Sequence, residues 1–227
     1  ERAGELQRRF PAAKIVAEPD AARGMYAAIN AGAAAAREWE AITWINDDDE
    51  LAPGFAAAVA ALGKRGESGI VYGRVELIDA DGARVGELPV ARRPGDLAAL
   101  LARGIVPLAQ PGTLIRRDAW ERLGGVDATY RLAGDLDFWV RAVRAGVKFE
   151  FVNKIVARFR LAAGQLSKRR DDMAAETRRA LAPLAGATRA AGALWRFRVG
   201  NIGAYLERLR RHGWVSMREL HDRTGNE

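Results

Sequence analysis

Two short acidic runs hold the side chains of this sequence best suited to chemistry. In ITWINDDDELAPG an apolar, β-branched stretch runs directly into Asp47, Asp48 and Asp49. Three adjacent carboxylates repel one another, and a hard divalent cation relieves that cost while bridging to substrate phosphates, for which Mg²⁺ uses only one or two protein carboxylates. Side chains leaving a strand alternate in direction, so at most two of the three face one ion. The alternative is structural: Asp49 and its neighbours cap the helix that Pro53 opens. In RLAGDLDFWVRAVRAG, Asp135 and Asp137 stand at the start of a helix whose Phe138, Val140 and Val143 turn toward a core. A helix dipole stabilises carboxylates there, which makes them caps; the functional alternative is a general base held at the mouth of a pocket.

The elements that must position these groups follow from the pattern. From Glu1 to about Ile155, short β-branched runs alternate with Ala-rich helical runs, as in an α/β domain on a mostly parallel sheet. Helices are expected over Glu1–Phe10, Met25–Trp39, Gly54–Leu62, Asp96–Ala102, Asp118–Leu123 and Leu136–Ala145. Strands are expected at Lys14–Ala17, Ala41–Asn46 and Val147–Phe151. Ile70–Ile78 and Ala83–Leu88 read as a hairpin turning at Asp79–Gly82. The Trp residues at 39, 44, 120 and 139 fall in core-like positions and read as packing.

Other chemistries are excluded. Without cysteine there is no disulfide scaffold, zinc ribbon or thiol nucleophile, and His212 and His221 are too few for a multi-histidine metal site. No Walker A loop or G-x-G-x-x-G appears, and no serine lies in G-x-S-x-G. Charge-free runs such as Leu51–Gly63 fall well short of the roughly 20 residues that span a bilayer. The net charge of +7 is uneven: residues 1–150 carry 20 basic and 22 acidic side chains, and residues 151–227 carry 16 and 7. Excess charge confined to one end, with no nucleic-acid-binding motif, argues against nucleic acid and for an anionic surface met by the tail.

Taken in order, AEPDAARGMYAAINAG, WINDDDELAPG, PLAQPGTLIRRDAWERLGGVDATYRLAGDLDFWVRA and FRLAAGQLS resemble the family 2 glycosyltransferases of the GT-A fold, especially bacterial enzymes of surface-polysaccharide assembly. The resemblance implies a nucleotide-diphospho-sugar transferase with a mixed sheet flanked by helices, over residues 1–167; beyond Ser167 the composition shifts to Arg and Ala with no strand signal, and a basic helical extension is expected over 168–227. It implies an inverting, Mn²⁺- or Mg²⁺-dependent transfer from a nucleotide-diphosphate sugar to a glycan or lipid-linked acceptor. Asn46-Asp47-Asp48 takes the place of the D-x-D motif, with Asp48 and Asp49 as metal ligands and Asp47 beside the donor. Asp135 matches the catalytic base, with Gly134 where Glu is common. Asn30, Gln110, Asp137, Gln165 and Ser167 fall at donor- or substrate-side positions. Arg116, Arg117, Arg169 and Arg170 are candidates to neutralise diphosphate.

The sequence departs from the family pattern at Ala27, where Asp is usual, and at Ala21-Ala22, an insertion. Glu1 corresponds to a point about 55 residues into that pattern, an alignment of order-of-magnitude precision. The expectation is therefore a piece of a longer product, lacking its first strands. A truncated, non-catalytic protein docking on a membrane or acidic partner is the competing reading. A cytoplasmic protein is expected, either free or peripheral at the inner face of the cytoplasmic membrane. Leu194–Arg211 sets Leu194, Phe197, Ile202, Tyr205, Leu206 and Leu209 near one helical face, suited either to a lipid interface or to packing on the domain.

Overall fold

A computed structural model of the chain describes residues 2–16, 24–63, 68–161, 170–185, 191–214 and 219–220. The sheet is organised by its two longest strands. β3 (Ser68–Ile78) and β6 (Lys148–Arg160) run parallel side by side, and the order is β1-β5-β3-β6-β2, with β4 (Arg84–Glu87) also on β3. Here β1 is Ala41–Ile42, β2 Glu50–Leu51 and β5 Leu114–Arg116. The expected mostly parallel sheet is corrected: among the described residues every pairing except β3 with β6 is antiparallel. The β3–β4 hairpin reverses the chain, and after the connection 88–113 β5 returns beside β3 in the antiparallel sense.

Alternation along β3 separates two cores. Ile70 and Tyr72 enter the larger one, with Leu136, Phe138 and Trp139; Val71 and Val75 enter the smaller one with Ala58, Ala61 and Leu62. The larger core is closed by α2 (Met25–Ala35), α4 (Leu97–Leu101), α5 (Arg117–Leu123) and α6 (Gly134–Arg144), the smaller by α3 (Phe55–Gly63). α1 (Arg2–Arg9) precedes them. α6 is buried almost all round, which accounts for its run of large apolar residues.

Three strand expectations need correction. Lys14–Val16 form no strand, and Ala17 lies outside the described residues. The strand expected over Ala41–Asn46 is only two residues long and half-buried, because its partner β5 is itself three residues long. The strand expected to end at Phe151 continues to Arg160: Tyr72 pairs with Phe151 but Arg74 with Ile155, so β6 bulges at Val152–Lys154 and resumes.

The C-terminal helices pack on the domain. α7 (Arg170–Leu181) contributes Ala180 to the larger core, and α8 (Ala191–Gly200) contributes Ala193 and Phe197. The single helix expected over Leu194–Arg211 is α8 and α9 (Ile202–His212), bent at Asn201. Asn201 donates its own N–H to Phe197 O (3.2 Å) and accepts at its carbonyl from Tyr205 N–H (3.1 Å), so the helical ladder crosses the bend. Its buried side chain exchanges two bonds with the backbone of Val90, at 2.9 and 3.0 Å, and these hold the bend on the domain.

Candidate functional site

The acidic turn leaves β1 and is held from both ends. Gln110 is buried, and its side-chain amide donates to Trp44 O, supplying the stem of the turn with a partner where no strand does. At the tip, Asp49 accepts from Asn46 Nδ2 (3.2 Å) and from the N–H of Arg160 (3.0 Å). Burial pushes the Asp49 carboxyl up to about 6, against the lowering effect of Arg160 N–H. Arg160 also donates to Asp48 O (2.9 Å), to Glu50 Oε1 (2.6 Å) and to the carbonyls of Asp79 and Ala80. This one guanidinium ties the acidic turn to the tip of the β3–β4 hairpin.

Both Asp49 oxygens are thus committed to protein donors, and its visible work is to shape the turn. Asp47 is exposed and Asp48 half-exposed. Among the described residues no group of three or more acidic or histidine side chains forms a ready metal cage. One or two carboxylates beside an open face suit a hard ion that also takes phosphate and water oxygens. Asp48, with Asp47 beside it, therefore fits Mn²⁺ or Mg²⁺ in donor type.

The second group lies where α2 meets the first turn of α6. Tyr26, almost fully buried on α2, places its hydroxyl 3.4 Å from Asp135 Oδ1, and the N–H of Asp135 points at the same hydroxyl at 3.4 Å. Asp135 Oδ1 also accepts from Leu136 N–H (2.8 Å). Asp135 keeps part of its surface on solvent while the protein's mass surrounds it, and that desolvation raises its pKa above the ordinary carboxylate range, partly offset by these hydrogen bonds. Tyr26 is raised as well, by burial first and by the Asp135 charge second.

Gly134 explains its own departure from the family pattern. A Cβ at this position would lie 2.7 Å from Cε2 of the Tyr26 ring and 2.8 Å from Cδ2, so the ring occupies the space a Glu side chain needs. Asn30, one helical turn beyond Tyr26, spends its whole amide on Val126, donating to the carbonyl (2.7 Å) and accepting from the N–H (3.0 Å). It fastens α2 to the loop after α5, which leaves its helix through Gly124 and Gly125. Gly125 has φ 73°, and a Cβ there would meet Asn30 Oδ1 at 2.6 Å.

Asp137 behaves differently from Asp135. It is buried and bound to Arg141 (2.6 Å), which also donates to Leu123 O (2.6 Å) and Gly125 O (3.0 Å). Its carboxylate thus anchors α6 to the end of α5. Glu176 of α7 fixes the approach to α6, accepting from the N–H groups of Arg131, Leu132 and Ala133 at 2.8–3.1 Å. Burial raises the Glu176 carboxyl, but these N–H groups and Arg179 outweigh it and hold it below its ordinary range.

The structure thus gathers Asp47, Asp48, Asp49 and Gln110 at one turn and Asn30 and Asp135 at the α2–α6 junction. The edge-on contact of Trp44 with Trp120 and the tilted contact of Trp120 with Phe138 connect the two, at 6.2 and 5.6 Å. Gln165, Ser167 and Arg169 lie outside the described residues. The diphosphate roles expected of Arg116 and Arg117 meet side chains already engaged. Arg116 donates to Leu62 O (2.6 Å) and Ser68 O (3.2 Å), and Arg117 pairs with Glu121 (2.7 Å) over the Trp39 ring. Sequence reasoning missed Tyr26, although its spacing of four from Asn30 places both on one face of α2. It also missed Arg160 and Glu176, for which local sequence carries no signal.

Beside the stem of the turn lies an apolar cleft of about 560 Å³ walled by Ile29, Trp39, Ile42, Trp44, Phe55 and Leu114. The outer edge of β1 carries no strand among the described residues. The family model described as "Glycosyltransferase like family 2" matches residues 1–182, most of the chain. The chain belongs to that family. No curated protein matches it. For a family 2 glycosyltransferase the mixed sheet flanked by helices is the expected GT-A arrangement, and glycosyl transfer from a nucleotide-sugar to an acceptor is the general activity. The match runs to the end of α7, whose Glu176 steadies the lead into α6. Among the described residues no helix is long and apolar enough to cross a membrane.

Proposed function

We propose that this protein is an inverting hexosyltransferase in which Asp135 is the catalytic base and Asp48, with Asp47, holds Mn²⁺ or Mg²⁺ against a nucleotide-diphosphate sugar. The observation that carries the reading is Asp135 itself. It is a part-exposed carboxylate on the first turn of α6 whose pKa is raised by burial rather than clamped down by a cation. Asp137, two residues away, is clamped by Arg141 and is thereby a structural group.

In this reading an acceptor hydroxyl attacks the anomeric carbon of the donor while Asp135 accepts its proton. The glycosidic bond to the diphosphate breaks, and the electron pair leaves on the phosphate oxygen. A raised pKa brings the base closer to the operating pH and so makes proton transfer more favourable. A divalent ion held by Asp48 and Asp47 would supply charge stabilisation for the departing diphosphate. Residues 1–167 carry this chemistry, and of the basic extension 168–227 the described helices α7 and α8 add side chains to the larger core. The acceptor is a glycan or a lipid-linked sugar of polysaccharide or glycolipid assembly.

The metal assignment is tested by calorimetry with Mn²⁺ and uridine or guanosine diphosphate, on wild type and on Asp48→Ala. Metal and diphosphate complete each other's coordination. Metal-dependent nucleotide binding is expected in the wild type and its loss in the variant. Unchanged affinity in Asp48→Ala would leave the acidic run as a turn-shaping element.

A further inference from the structure

The bent α8–α9 helix buries Ala193 and Phe197 but presents a second line of apolar residues outward. Trp195, Val199, Ile202, Leu206 and Leu209 are 66, 48, 58, 52 and 41% exposed. Their spacing of four, three, four and three keeps them within about 80° of one another on a helix of 3.6 residues per turn. They form a stripe about 20 Å long, with Trp195 at one end and the 93% exposed Trp214 just beyond the other. The opposite face is the one fastened to the domain. Arg196 pairs with Asp96, Asn201 with Val90, Glu207 with Arg84 (2.8 Å) and His212 with Val85 O (2.8 Å). Ala193 and Phe197 add apolar packing in the larger core on that inner side, and the stripe on the outer side is a second apolar line that the domain leaves uncovered.

We propose that this outward stripe is a docking surface for an anionic lipid bilayer. The charge around it favours that occupant. Between Ala191 and Trp214 there are five arginines and one acidic residue, Glu207, already bound to Arg84 and Arg211. Arg198 and Arg210 are exposed and flank the stripe, one on each side. Two copies meeting through the stripe would bring these arginines together with no spare carboxylate between them. A surface of anionic headgroups instead satisfies both flanks, takes the apolar line into its acyl boundary and places the tryptophans at the level they prefer. The inference rests on this surface alone and stands apart from the sugar-transfer reading.

The test is co-sedimentation of the protein with phosphatidylcholine vesicles, with and without phosphatidylglycerol as half of the lipid. Binding to the anionic vesicles is expected at low salt, weakening as salt is raised. Arg198→Ala and Arg210→Ala should each lower partitioning about fivefold, at roughly 1 kcal/mol per surface arginine. Ile202→Glu with Leu206→Glu should abolish it while leaving Tm unchanged, because both side chains already face water. Three results would overturn the proposal: no binding at low salt, binding indifferent to the Ile202/Leu206 pair, or a dimer in light scattering that the same pair dissociates.

Discussion

The Tyr26 ring lies where a side chain at Gly134 would stand, with its hydroxyl 3.4 Å from the carboxylate of the next residue, Asp135. One buried aromatic thus decides two things: position 134 has room only for hydrogen, and Asp135 has a neutral hydroxyl as neighbour rather than a second carboxylate. Overpacking such a contact costs about 1–3 kcal/mol.

Gly134→Ala is therefore expected to destabilise the protein by about that amount, and to lower turnover by displacing the first turn of α6. Tyr26→Leu opens the space and should recover much of the loss in the double variant, a non-additive pair in a double-mutant cycle. Thermal denaturation of the four proteins gives the coupling. Strict additivity would show that the two positions do not touch.

Asp137 provides the contrast with Asp135. Asp137→Asn removes the charge that answers Arg141, leaving the guanidinium with the carbonyls of Leu123 and Gly125 alone. A loss of about 1–3 kcal/mol is expected for a part-buried charged hydrogen bond, seen as a fall in Tm of about 2–4 °C per kcal/mol in a chain of this size. The kcat of the folded fraction should change little. A variant as stable as wild type but inactive would move the base to Asp137.

What could be read from sequence was local. The hairpin at Asp79–Gly82, the end of α5 at Gly124-Gly125 and the acidic turn are decided within a few residues by turn and cap chemistry, and all three stand in the structure. The continuation of β6 was not legible, because Asn153-Lys154 reads as a strand end and only its pairing with β3 shows it to be a bulge. Asp135 and Asp137 look alike in sequence; Arg141 and Tyr26 distinguish them, through contacts made after folding. Arg160 lies 112 residues from Asp48, whose carbonyl it holds, so no window of sequence could link them. The orientation of α8–α9 was hidden too, since an amphipathic pattern does not say which face a protein binds.

The raised pKa of Asp135 has consequences of definite sign for pH. A base that holds its proton more tightly requires a higher pH to work, so the acid limb of the kcat/KM profile should lie above the ordinary carboxylate range, near 4 for a model aspartate. A carboxyl whose folded pKa exceeds its unfolded value contributes stability below the unfolded pKa and loses it as pH rises through the folded one. Asp135→Asn, which cannot ionise, should escape that loss and melt at or above the wild-type Tm at neutral pH. An acid limb at or below 4 in the wild type would contradict the assignment.

The most direct test compares wild type with Asp135→Asn for metal-dependent release of nucleoside diphosphate from a panel of uridine-, guanosine- and thymidine-diphosphate sugars, with glycan acceptors present. Asparagine keeps the shape and the bond from Leu136 N–H while removing basicity. Acceptor-dependent turnover of at least one donor is expected in the wild type, with a fall of roughly 10²–10⁴-fold in the variant and donor binding little changed. Turnover in Asp135→Asn at the wild-type rate would contradict the central claim that Asp135 is the base.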